Sequence, residues 1–132
     1  MEVPILRQGN YLIASIQSAL SDSDLVQLRD ALVERVGRLR SRGVIIDLTA
    51  LDILDSFATR TLRDTAHMIR LRGAETVIVG MQPEVAFTMV QLGLSLPEIA
   101  TALDLEEGLV YLGRKTGVSE PKKRIRGSDG ER

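Results

Sequence analysis

The chain contains no cysteine and only one histidine, His67, among its 132 residues. The absence of cysteine excludes disulfide bonds, thiolate nucleophiles and cysteine-ligated metals. A single histidine cannot form a histidine-rich metal site. We therefore expect neither a bound metal ion nor a cofactor.

Long apolar runs are also absent. No segment approaches the roughly 20 consecutive apolar residues that a membrane-spanning helix needs. Glu2 and Pro4 stand where the basic segment of a signal peptide would lie. These observations predict a cytoplasmic protein that does not contact a membrane.

Aromatic residues make up only 3% of the chain, whereas apolar residues make up 44%. The core must therefore be mostly aliphatic. A chain of 132 residues is long enough for one domain with a substantial core.

Lysine is missing from the first 114 residues, and the charge is unevenly divided. Residues 1–113 hold 10 Lys and Arg against 15 Asp and Glu, whereas residues 114–132 hold 7 against 3. The acidic body argues against a nucleic-acid-binding surface. Charged and small residues dominate from Ser119 onward, so we predict a domain over residues 1–116 and a basic, disordered tail over residues 117–132.

The apolar spacing alternates between strand and helix patterns. A β-hairpin is predicted over residues 4–16, with a three-residue loop at residues 8–10. A helix follows from about Ser21 to Arg42, and Gly43 is predicted to be the residue just after its C-terminus.

The rest of the chain repeats this alternation. Buried strands are predicted at residues 44–46 and 76–80, and a short strand near Thr101. Helices are predicted at residues 56–72, 83–93 and 104–116. The predicted fold class is therefore α/β: a mixed, largely parallel sheet flanked by about four helices, with an N-terminal β-hairpin at one edge.

The most informative stretch begins at the strand over residues 44–46. The strand is followed by a broken, acidic segment that contains Asp47, Thr49, Asp52 and Asp55, and then by Ser56 and an amphipathic helix. A buried strand thus leads into an acidic loop that places a serine hydroxyl at a helix N-terminus.

Known catalytic and phosphate-binding patterns are missing around this loop. The chain has neither the G-x-x-x-x-G-K-[ST] loop nor the G-x-G-x-x-G turn. A response-regulator receiver is also excluded, because the other strands end at Ile16 and Gly80 with neither an acidic pair nor a lysine nearby. Three carboxylates, Asp47, Asp52 and Asp55, could together ligate Mg²⁺, but they are more typical of a strand end followed by turns.

Ser56 allows two interpretations from the residues alone. A serine before a helix commonly accepts a hydrogen bond from the first-turn backbone amides and caps the helix. The same position suits a phosphate, because free amides and the helix dipole favour an anion there by about 0.3–2 kcal/mol. A phosphoserine carries a charge of about −1.5 to −2, so it would expel a partner's acidic or apolar groups from the loop.

Two segments around this serine carry a resemblance to a known family. The sequence Val-Ile-Ile-Asp-Leu-Thr at residues 44–49, followed by Ile-Leu-Asp-Ser-Phe at residues 53–57, resembles the signature of STAS domains, the anti-anti-sigma factor family. Residues 13–17, 80–86 and 102–106 are similar as well, and the resemblance covers about residues 3–114. One departure is Phe57-Ala58, where many members have Ser or Thr and then Gly. The stressosome antagonists within the family share that departure.

The resemblance implies a phospho-switch rather than an enzyme. Such proteins hold an RsbT-like serine/threonine kinase inactive and co-assemble with RsbR-like STAS proteins into a large complex. Phosphorylation of the STAS serine, here Ser56, releases the kinase, and an RsbX-like phosphatase resets the state. Thr88 matches a second phosphorylated threonine of RsbR-type relatives, although an ordinary helix position is the favoured explanation. The implied partner-binding loop comprises Asp47, Thr49, Asp52, Asp55, Ser56 and Phe57.

Other functions stay open at this point. Some STAS domains bind nucleotides or lipids, and others act as free-standing anti-anti-sigma modules. The loops after Leu48 and Gly80 offer few polar anchors for a nucleotide base and no lysine for a phosphate. A hydrolase using Ser56 would need His67 as its base, and His67 is predicted on the solvated side of its helix.

Overall fold

The computed structural model of the chain describes residues 3–91 and 99–117. Within them the elements are β1 (Ile5–Gln8), β2 (Tyr11–Ser15), α1 (Asp22–Leu39), β3 (Gly43–Asp47), α2 (Ser56–Leu71), β4 (Glu75–Val79), α3 (Pro83–Gln91), β5 (Ala100–Ala102) and α4 (Leu105–Thr116). The five strands form one sheet in the order β1-β2-β3-β4-β5. Only the β1–β2 pair is antiparallel. The predicted α/β fold class, with its opening hairpin and its four helices, is confirmed.

Both faces of the sheet are covered, which explains why the central strands read as continuous apolar runs. On one face, Val44 and Ile46 of β3 pack into a core with the buried sides of α1, α2 and α3. On the other face, Ile45 packs with Val77 and with Leu112 of α4. Helix α4 lies close to the sheet because Gly108 has no side chain, and a Cβ there would lie 2.7 Å from Cγ1 of Val79.

The hairpin turn is tighter than predicted. Gln8 pairs directly with Tyr11, so the loop contains two residues, Gly9 and Asn10, rather than three. Gly9 has φ +60°, and the right-handed twist of a hairpin favours such a positive φ in a two-residue loop.

Helix α1 ends earlier than predicted. Ser21 caps its N-terminus, and Arg40 adopts the left-handed conformation at its C-terminus with φ +54°. Gly43 is therefore not the residue after the helix, and that prediction is wrong. Gly43 is the buried first residue of β3, where a Cβ would lie 2.8 Å from Cδ1 of Leu112. Gly37 lies inside α1, and the Arg72 guanidinium occupies the space that a side chain at this position would need.

The second half of the chain follows the sequence prediction closely. Helix α2 begins at Ser56, and β5 lies around Thr101. Asp104 caps α4 by accepting a hydrogen bond from the Glu107 backbone N–H at 2.9 Å. The predicted end of α3 near residue 93 and the tail from residue 118 onward lie outside the described residues. None of the described helices combines the length and the apolarity that crossing a bilayer requires.

Candidate functional site

The candidate site lies at the edge of the sheet where the parallel strands end. Hydrogen bonds continue between neighbouring strands past their last residues. Ile16 N–H donates to the Asp47 carbonyl at 3.1 Å, and Leu48 N–H donates to the Val79 carbonyl at 3.0 Å. The loops after β3 and β4 therefore leave the sheet side by side. Of the six residues of the predicted partner-binding loop, Asp47 is the last residue of β3, and the other five lie in the loop after it or in the first turn of α2.

Asp47 and Thr49 form a small polar network that ties the two loops together. Asp47 Oδ1 accepts hydrogen bonds from the Thr49 backbone N–H at 2.9 Å and from the Thr49 hydroxyl at 2.6 Å. The Thr49 carbonyl in turn accepts a hydrogen bond from Gln82 Nε2 at 2.7 Å. Asp47 therefore stabilises the conformation of the loop through these hydrogen bonds, and exposed residues further along the loop face solvent.

Gln82 is a site residue that the sequence analysis did not single out. It lies in the segment of residues 80–86, whose similarity to the family was already visible in the sequence. No periodicity or spacing marks a glutamine as the donor that holds a neighbouring loop, so only the three-dimensional arrangement reveals this role.

Gly80 makes the close approach of the two loops feasible. Its φ is +74°, and a Cβ on this residue would overlap Oγ1 of Thr49. The Gly80 backbone N–H donates to the Ala102 carbonyl at 3.2 Å, so the residue is also fixed to β5. A side chain at residue 80 would therefore disturb the Asp47–Thr49 pair directly.

Asp55, not Ser56, caps helix α2. Its Oδ1 accepts a hydrogen bond from the Ala58 backbone N–H at 2.8 Å, and its carbonyl accepts from the Thr59 hydroxyl at 3.0 Å. Ser56 is the first helical residue, so the interpretation of Ser56 as the cap is wrong. No hydrogen bond to the Ser56 hydroxyl is found within residues 3–91 and 99–117.

Ser56 is half-buried, and it stands among exposed apolar side chains. Ile53 is 70% exposed, although it lies in a loop whose Leu51 and Leu54 are buried, and Phe57 in the first turn of α2 is 39% exposed. The buried leucines anchor the loop, and the exposed isoleucine and phenylalanine face solvent beside the serine.

Thr88 lies on α3, the helix that follows the Gln82 loop, and it is exposed. Its hydroxyl donates a hydrogen bond to the Glu84 carbonyl one turn earlier, at 2.9 Å. Nothing in this geometry distinguishes Thr88 from an ordinary helical threonine, and its modification stays a prediction.

The geometry near Ser56 does not suit a small ligand or a catalytic triad. The cavity behind the loop, lined mainly by apolar residues such as Leu51 and Leu54, has a volume of about 60 Å³. Ligand pockets usually measure about 300–1,000 Å³. His67 lies in the same helix as Ser56 but eleven residues later, which is about 16 Å along the helix axis.

Metal ligands are likewise not clustered in this region. Across the described ranges, no group of three or more His, Cys, Asp or Glu side chains is arranged to hold a metal ion. Asp47 and Asp55 instead accept hydrogen bonds from nearby backbone N–H groups.

Replacing Asp55 with alanine is expected to destabilise the domain by about 1 kcal/mol, because the cap of α2 is lost. Urea unfolding monitored by circular dichroism measures the change. The matched control is Asp52→Ala, which removes an exposed carboxylate of the same loop and is expected to change stability by less than about 0.5 kcal/mol. Equal effects of the two substitutions would contradict the assignment of Asp55 as the cap.

Comparisons with known proteins agree with this geometry. The family model of the STAS domain matches residues 2–108. A solved serine-to-glutamate variant of RsbS from Moorella thermoacetica is 34% identical with a TM-score of 0.77, and the similarity covers 88% of this chain and 98% of that one. A chain in a structure of the stressosome, described as a signal integration and transduction hub, is 32% identical with a TM-score of 0.70. That similarity covers 85% of this chain and 97% of the other.

A longer relative is also similar. The RsbT co-antagonist protein RsbRA of Bacillus subtilis (strain 168) is 26% identical over 100 residues, which are 76% of this chain. The matched region is 36% of RsbRA. The chain thus spans about a third of the length of this curated relative.

Proposed function

Because the chain belongs to the STAS domain family, we propose that it is a non-enzymatic, cytoplasmic phospho-switch of a stressosome pathway. In this proposal it binds an RsbT-like serine kinase, keeps it inactive, and releases it when Ser56 is phosphorylated. The observation that carries the proposal is the position of Ser56, at the first residue of α2 and among exposed apolar side chains.

The exposed apolar residues beside Ser56 supply the contact area that a kinase would bury. Ile53 and Phe57 flank the serine in the sequence, and both are exposed. Burying apolar surface contributes roughly 25 cal/mol per Å². A partner that covers these two side chains would lie close to residue 56, so a charge at that hydroxyl would affect the interface.

A phosphate on Ser56 would lie next to the carboxylate of Asp55. The Asp55 carboxylate accepts a hydrogen bond from the Ala58 amide in the first turn of α2, so a phosphate would compete with it for the remaining amides of that turn. Asp52 is exposed in the same loop and adds a further negative charge. The phosphorylated loop would therefore repel an acidic or apolar partner, and placing like charges against each other across an interface costs several kcal/mol.

Assembly with related STAS domains is the second part of the proposal. RsbR-like proteins are the expected partners. RsbRA is similar over 76% of this chain, and the chain from the stressosome structure is similar over 97% of its own length. An RsbX-like phosphatase would return Ser56 to its hydroxyl form. Small-molecule sensing is not favoured, because the cavity beside the loop is only about 60 Å³.

The test incubates the full chain with ATP and the RsbT-like kinase, followed by mass spectrometry of the peptides. Phosphate is expected on Ser56, and Ser56→Ala is expected to remove it. Thr88→Ala is the matched control and is expected to leave phosphorylation of Ser56 intact. Phosphate on other hydroxyls alone would overturn the assignment of Ser56.

Co-assembly is measured separately by size-exclusion chromatography with light scattering. A mixture of this chain and an RsbR-like protein is expected to elute far above the mass of either protein alone. Separate elution of the two proteins at every mixing ratio would contradict the stressosome part of the proposal and leave a free-standing antagonist.

A further inference from the structure

The charges of the domain are divided between the two ends of the sheet. Four segments lie where the parallel strands end and the helices begin: residues 16–25, 47–58, 80–86 and 102–108. Together they contain nine Asp and Glu and no Lys or Arg. We call this surface the acidic edge.

The opposite end has the reverse composition. There the described segments are residues 7–10, 38–43, 70–75 and 114–117, which contain eight Arg and Lys and a single acid, Glu75. All eight basic side chains are exposed. We call this surface the basic edge.

Backbone contacts show that the segments of the basic edge form one continuous surface. The Arg42 backbone N–H donates to the Asn10 carbonyl at 2.7 Å, and the Arg42 carbonyl accepts from the Glu75 N–H at 3.1 Å. Arg42 Nη2 also donates to the Thr116 carbonyl at 3.4 Å. The ends of the hairpin, of α1 and of α4 therefore meet at this edge.

Helix dipoles do not cancel the separation of charge. The four helices begin at the acidic edge, and each N-terminus contributes about half a positive charge. Their sum of about two charges is small beside nine carboxylates. The edges are also far apart, because α2 alone is about 24 Å long and the Debye length in physiological salt is about 8 Å. Within one copy, each edge is therefore screened from the other.

We propose that the basic edge of one copy docks onto the acidic edge of a second copy, so that the domains associate head to tail. A second copy is the partner because its acidic edge carries the opposite charge and is likewise formed by the segments at one end of the sheet. Pairing of like edges is disfavoured by repulsion, so the contact is heterologous, and repetition of it leads to rings or open chains.

Sedimentation velocity of the full chain at about 0.1 M and about 1 M NaCl tests the proposal, because the Debye length falls from about 10 Å to about 3 Å between them. Species larger than a dimer are expected at low salt, with association at least about tenfold weaker at high salt. Association that persists unchanged in high salt would overturn the proposal. A chain that remains monomeric at low salt would overturn it too, and binding of a single-stranded oligonucleotide would then assign the basic edge to nucleic acid.

Two double variants identify the edges. The basic-edge variant carries Arg40→Glu and Arg114→Glu, and the acidic-edge variant carries Glu84→Arg and Glu106→Arg; all four side chains are exposed. Each variant alone is expected to associate at least about tenfold more weakly, which corresponds to about 1.4 kcal/mol.

A 1:1 mixture of the two variants retains one intact edge on each chain. The intact acidic edge of one variant can pair with the intact basic edge of the other, so the mixture is expected to associate more strongly than either variant alone. Circular dichroism confirms that both variants are folded. The proposal would be overturned if either variant alone associated as strongly as the wild type, or if the mixture stayed monomeric.

Discussion

Replacing Ser56 with aspartate is expected to weaken binding of the RsbT-like kinase by about 10- to 100-fold, or about 1.4–2.8 kcal/mol. The reason is that a carboxylate at the first residue of α2 lies beside Asp55, whose own carboxylate already caps the helix. A partner that covers Phe57 and Ile53 would have to desolvate both charges. Phosphoserine carries about twice the charge of aspartate, so the true modification should weaken binding further.

Ser56→Ala is expected to bind the kinase as the wild type does, because the hydroxyl forms no hydrogen bond with the described residues. Isothermal titration calorimetry with the purified kinase compares the variants. Asn10→Asp serves as the charge control, since it adds the same charge in the hairpin turn at the other end of the sheet. If Ser56→Asp and Asn10→Asp bound the kinase equally well, charge at Ser56 would not control the interaction.

The sequence was sufficient to predict the architecture because burial determines the apolar patterns. Val44, Ile45 and Ile46 form an unbroken run, and the structure covers both faces of β3. The inner positions of α2, such as Leu62 and Ile69, are buried as their spacing predicts. The parallel character of the sheet and the hairpin at its edge follow from the alternation of strands and helices, whereas the order β1-β2-β3-β4-β5 is seen only in the structure.

Errors occurred where two local signals compete for one feature. At the end of α1, glycine is the usual left-handed residue, yet Arg40 adopts that conformation and Gly43 is needed for close packing against Leu112. At the start of α2, Asp55 and Ser56 are both common capping residues. Only the geometry shows that the aspartate caps the helix, which leaves the serine hydroxyl without a hydrogen bond to the described residues.

The contacts between loops could not be predicted, because they join residues that are distant in the sequence. Gln82 reaches the Thr49 carbonyl across 33 positions of the chain. A glutamine in a loop has no characteristic spacing, and many partners are available to its amide. The same holds for the two charged edges, since the acids and bases are interspersed along the sequence and separate only when the helices pack in one direction across the sheet.

Gly80→Ala is expected to destabilise the domain by about 2–4 kcal/mol. The left-handed backbone costs a residue with a Cβ about 1–2 kcal/mol. In addition, the new methyl group would overlap Oγ1 of Thr49, so the hydrogen bond from that hydroxyl to Asp47 would have to break. A hydrogen bond to a charged group contributes about 1.5–3 kcal/mol, and partial exposure of this pair reduces that contribution.

Gly73→Ala separates the two causes. Gly73 also has a positive φ of +94°, but a Cβ there would have no atom within 4 Å. It should therefore show the backbone cost alone, about 1–2 kcal/mol in urea unfolding. A Gly80→Ala effect no larger than that of Gly73→Ala would show that Thr49 does not crowd Gly80.

The same substitution connects stability to the proposed function. Thr49 belongs to the loop that carries Ile53 and Ser56, so moving Thr49 is expected to shift the kinase-binding surface without changing any residue on it. Gly80→Ala should therefore weaken kinase binding, whereas Gly73→Ala, at the other end of α2, should not. Both affinities are measured well below the unfolding temperatures of the variants. If they were equal, the loop after Thr49 would keep its shape even when residue 80 carries a methyl group.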